Sequence, residues 1–85
     1  MSVNYSLHLT GIKVKENSVL VYWTKIGTDT ATGKSGKFAG TTPFTIDDFA
    51  GAVPTVETTL PLVEKFINDN ISSVVNEKIQ QQIAS

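Results

Sequence analysis

The spacing of the apolar residues changes once along the chain, and that change limits the fold more than any other feature. Up to about residue 46 the apolar positions alternate with polar ones or run in short β-branched blocks; from Leu60 onward they recur at helical spacing. Strands therefore come first and helices last. That order, β-β-β-α-α, predicts an α+β domain in which helices cover one face of a small antiparallel sheet.

Val3, Tyr5, Leu7 and Leu9 alternate with Asn4, Ser6 and His8, the pattern of a half-buried strand. After Gly11 the apolar set moves to Ile12 and Val14, and a phase change at a glycine predicts a β-bulge. The first strand is expected over 2–15, followed by a polar turn. The second, over 19–26, is rich in β-branched and aromatic residues. It is apolar on both faces, with Val19, Val21 and Trp23 on one and Leu20, Tyr22 and Ile26 on the other. A third strand is expected over 37–46; Pro43 lacks an amide donor and assigns it to an edge, or breaks it.

In the last third, Val63, Phe66 and Ile67 fall on one helical stripe, and Val75, Ile79 and Ile83 on another roughly 160° away. The shift predicts a break at Asn68-Asp69-Asn70 and two helices, near 60–69 and 73–84. Thr58 or Thr59 is expected to cap the first, with Pro61 in its opening turn, and Ser72 or Ser73 to cap the second.

At 85 residues the chain accommodates one domain, 1–85, burying only roughly 60–65% of its unfolded surface, so association with a second copy is an expected source of stability. There is no Cys and one His, which excludes disulfides, thiolate chemistry and a two-histidine metal site; neither metal nor cofactor is expected. Seven Lys and no Arg against eight acids give a net charge of −1, which argues against a nucleic-acid partner. The longest apolar block, Val19 to Trp23, is too short to span a membrane, and the first residues lack a signal-peptide pattern.

Gly27 to Lys37 reads as an exposed hairpin tip. Its Gly27…Gly33-Lys34-Ser35 pattern approaches a phosphate-binding loop, but five residues rather than four separate the glycines and strand-like sequence follows. Asp29, Lys34, Ser35 and Lys37 are its candidate binding-loop residues, and the glycine-rich backbone with Lys34 and Lys37 could accept an anion or a partner's acidic surface. Asp47-Asp48 reads as turn chemistry. His8 lies at a polar phase of the first strand, and no nucleophile motif accompanies it.

The layout as a whole resembles that of small proteins of tailed bacteriophages, common in marine phages. The similarity rests on Val19-Leu20-Val21-Tyr22-Trp23-Thr24, the FAGTTPFTIDDF stretch, TTLPLVEKFINDNI and the ending NEKIQQQIAS. The resemblance implies a viral origin, location in the host cytoplasm or virion rather than secretion, and no catalytic centre.

Together these readings predict a non-enzymatic structural or interaction protein that partners itself as a homo-oligomer, or a virion or host protein. Val19, Val21, Tyr22 and Trp23 are the expected contact residues, because two short helices can cover only one face of the second strand. The alternative is a small inhibitor or ligand-sequestering module that acts through the 27–37 loop.

Overall fold

In the computed structural model, which describes residues 2–85, three antiparallel strands lie in the order β1-β2-β3: β1 is Val3–Lys15, β2 Ser18–Asp29 and β3 Ser35–Thr45. A short 3-10 turn, η1 (Ile46–Phe49), leads to α1 (Val56–Asn70) and α2 (Ser72–Ala84). The α+β architecture is the expected one. β2 is central and both β1 and β3 are edges, so Pro43 sits on an edge strand that continues through it unbroken.

Strand pairing follows the alternation. Leu9 opposes Trp23 and Gly11 opposes Tyr22, leaving Thr10 as the extra residue of a bulge at the predicted phase change. The bulge lets Val3, Tyr5, Leu7 and Leu9 before it, and Ile12 and Val14 after it, share the face of Val19, Val21 and Trp23. The two-residue turn Glu16-Asn17 closes this hairpin with Glu16 in the left-handed region, φ 53°.

Both helices cover that face, α1 beside β1 and α2 across β2 and β3. The core is Val19, Val21, Trp23 and Phe49 from below, and Val63, Ile67, Val75, Ile79 and Ile83 from above. Val19, Val21 and Trp23, expected at a contact between copies, are instead 0%, 0% and 1% exposed under the chain's own helices. Space for those helices comes from glycine. Gly27 and Gly36 oppose each other across β2 and β3, and a Cβ on either would lie 2.6 Å from Ile79. A Cβ at Gly40 would overlap the Trp23 ring; its absence lets the indole lie flat, stack on Phe38 at 5.9 Å and donate Nε1–H to Thr42 Oγ1 at 3.0 Å.

The helices depart from expectation at their ends. α1 begins a full turn early, because Thr55, not Thr58 or Thr59, is its cap: Thr55 Oγ1 accepts from the Thr58 amide, and Thr58 Oγ1 accepts from the Thr55 amide. Pro61 thus lies inside the helix rather than in its first turn, while Thr59 is buried in the core. The break falls where the apolar phase shifts. Asn70 ends α1 by donating Nδ2–H to Phe66 O, and Ile71 is the hinge at φ −133°, ψ 6°. Neither Ser72 nor Ser73 caps α2; Ile71 holds that position without a side-chain bond.

Candidate interaction face

The side of the sheet opposite the helices carries the even-numbered residues of β2: Leu20, Tyr22, Thr24 and Ile26. Their cross-strand partners share that side. On β1 these are Lys13, Gly11, His8 and Ser6; on β3 they are Pro43, Thr41, Ala39 and Lys37. Among the described residues, no element lies over them. The result is a stripe of Leu20, Tyr22 and Ile26 along the middle strand, widened by Pro43 and Ala39 and bordered by Ser6, His8 and Thr41 with Lys13 and Lys37 near its ends. Tyr22 is 39% exposed, and its ring lies along Gly11, where an added Cβ would come within 3.2 Å of Cδ2.

Lysines occur on both sides of the sheet, with Lys25, Lys65 and Lys78 on the helical one. The open face holds Lys13 and Lys15 near one end of β1 and Lys37 near the opposite end of β3, and no carboxylate. The acids Asp47, Asp48, Glu57, Glu64, Asp69 and Glu77 all lie in η1 and the helices. Among the described residues the one ion pair, Lys65–Asp69 at 2.6 Å, is also on α1; the neighbouring carboxylate raises the Lys65 pKa, but both groups stand in solvent and add little stability.

The 27–37 stretch is not the long open loop that its composition suggests. β2 runs on through Asp29 and β3 starts at Ser35, leaving a five-residue tip, 30–34. Asp29 is 8% exposed and its carboxylate is spent within the turn, accepting from the Ala31 amide at 3.1 Å and Thr32 Oγ1 at 2.9 Å. Ser35 pairs with Thr28 in the sheet, Lys34 stands exposed at the tip, and the Lys37 backbone is clasped at both N–H and C=O by the Gln82 amide. The four expected binding residues therefore do not converge. The chain also turns back as a strand after Lys34, where a phosphate loop would open a helix.

Asp48 does the turn work expected of it, accepting from the Thr45 amide at 2.8 Å. His8 Nε2 lies 3.2 Å from Ser6 Oγ on the open face. Among the described residues, no three His, Cys, Asp or Glu side chains gather where they could share a metal ion.

Sequence reasoning passes over Lys25. It occupies the helix-facing register of Val19, Val21 and Trp23, so a charge there stands in the wall of the core; the alternation itself carries that signal. Its ammonium donates to Asn76 Oδ1 at 2.8 Å and lies 4.6 Å from the centre of the Tyr5 ring. Burial lowers its pKa from the ordinary 10.5. Comparison of the chain with family models, with curated proteins and with solved structures returned no match.

Proposed function

We propose that the chain is a non-catalytic assembly protein, phage-encoded, that works as a homo-oligomer joined through the open face of its sheet. The observation that carries this reading is the stripe of exposed Tyr22 between half-buried Leu20 and Ile26, on the side of the central strand away from the helices. Fully burying such a side chain from water is worth about 1.5–3 kcal/mol, and covering what remains exposed of these three gains part of that at each. The resemblance in layout to small proteins of tailed phages supports the viral origin.

A second copy suits this face in area and in charge. Twelve residues of strand by three strands span about 40 by 14 Å, so two such faces bury about 1,000 Å² together, the lower bound of a specific interface. A twofold axis along β2 lays β1 of each copy over β3 of the other. Lys13 then meets the partner's Pro43 region and Lys37 the neighbourhood of Asn4 and Ser6, so that no lysines oppose each other. The same axis brings Tyr22 and Thr24 close to their own counterparts, in an aligned sheet packing.

Because the chain has no cysteine, this arrangement is open to a direct test. Thr24→Cys, next to the axis, forms a disulfide-linked dimer under mild oxidation, whereas Thr32→Cys at the hairpin tip stays a single chain. Equal cross-linking at the two positions, or none at Thr24→Cys, contradicts the proposal.

A further inference from the structure

The second feature of this molecule is a cleft between β1 and α1, at the edge of the sheet. It has a volume of about 220 Å³ and is lined by Tyr5, Ser6, Leu7, Lys25, Glu64, Ile67 and Asn68. At its inner wall is the Lys25 ammonium. One of its three N–H groups is given to Asn76 and the Tyr5 ring flanks it, while Tyr5 is itself held by Gln80 Nε2 at 2.8 Å from its hydroxyl. No carboxylate lies within 4.0 Å of this ammonium, the ion pair on α1 being the only one among the described residues. A half-buried cation with spare donors, held in place by an amide and an aromatic ring, is a ready anion receptor.

The lining selects among anions. Leu7, Ile67 and the Tyr5 ring give the cleft an apolar wall, which suits a carbon body. Glu64 on the rim repels anions in proportion to their charge, so a singly charged ligand is disfavoured less than a dianion. The volume is below the ~300–1,000 Å³ of drug-sized sites and fits a molecule of fewer than about ten heavy atoms. We propose that this cleft binds a small monocarboxylate, its carboxylate on Lys25 and Asn68 and its short apolar body against Leu7 and Ile67. Burial of the ammonium, which depresses its pKa, is the cost that a bound carboxylate offsets.

The test is an amide NMR titration of the full chain with 4-methylpentanoate, and in parallel with inorganic phosphate. We expect saturable shifts at residues 5–7, 25 and 64–68 with a dissociation constant of about a millimolar, and no saturable shift at those positions with phosphate. Lys25→Met weakens binding at least about tenfold. Asn68→Asp, an exposed change on α1 that leaves the core alone, also weakens it by setting a second carboxylate at the rim. Shifts that never saturate, binding unchanged in a folded Lys25→Met or Asn68→Asp, or phosphate binding as tightly as the carboxylate would each overturn the proposal.

Discussion

Buried Thr59 and half-buried Lys25 each cost the chain some local stability, for different reasons. Thr59 is fully buried and its hydroxyl oxygen has no hydrogen-bond partner, although the rest of its side chain packs in the core. Replacing that hydroxyl with a methyl group keeps the shape and removes the desolvation cost. Thr59→Val should therefore raise stability by about 1 kcal/mol, read as a higher urea midpoint at unchanged slope. Lys25 is costly only while it is charged. Its folded pKa lies below the ordinary 10.5, so between those two values the unfolded chain holds the proton more tightly than the native one. Unfolding then takes up protons and stability rises with pH across that window; below it the penalty is present in full. Denaturation midpoints from neutrality to pH 10.5 should show this rise in the native chain, and the difference between it and Lys25→Met should shrink as pH climbs. A constant difference would show that Lys25 contributes through packing alone.

At the scale of elements, the opposed glycines of β2 and β3 decide where α2 rests. A methyl group at Gly36 would meet the Ile79 carbonyl at 2.6 Å and Gln82 Cβ at 2.9 Å, and a backbone carbonyl cannot step aside without moving the helix. Gly36→Ala should cost about 1–3 kcal/mol and loosen the Gln82 clasp on Lys37, seen as faster amide exchange at residue 37. These glycines also explain what the sequence could and could not tell. Alternation in Val3–Leu9, the shift at Gly11 and the helical phase jump near Asn70 are direct consequences of burial, and they were legible. That β2 is apolar on both faces was legible too. Which face the helices take is set by Gly27, Gly36 and Gly40 sharing the register of Val19, Val21 and Trp23, a pairing that exists only once β3 is aligned on β2. The ends of β2 and the first turn of α1 were hidden because Gly27, Thr28 and Asp29 look like loop, and Val56 to Thr59 lack a helical stripe. Their order comes from the Asp29 turn and the Thr55–Thr58 cap.

As a whole the molecule is a thin slab, 44 × 20 × 16 Å, with helices on one side of its sheet and an apolar stripe flanked by Lys13 and Lys37 on the other. A slab this thin cannot cover both faces of its sheet from its own chain, and the proposed dimer solves that with a second sheet. Tyr22 is the informative position, since it is 39% exposed and outside the helix-covered core. An aspartate there should leave the monomer folded, with a circular dichroism spectrum like that of the native chain, while placing two like charges at the twofold axis. The direct measurement is light scattering across a concentration series for the native chain and Tyr22→Asp. The account predicts a native mass of two chains that falls towards one on dilution, and a single chain at every concentration for Tyr22→Asp. A native chain that stays monomeric throughout, or a Tyr22→Asp chain that still pairs as the native one does, would contradict it.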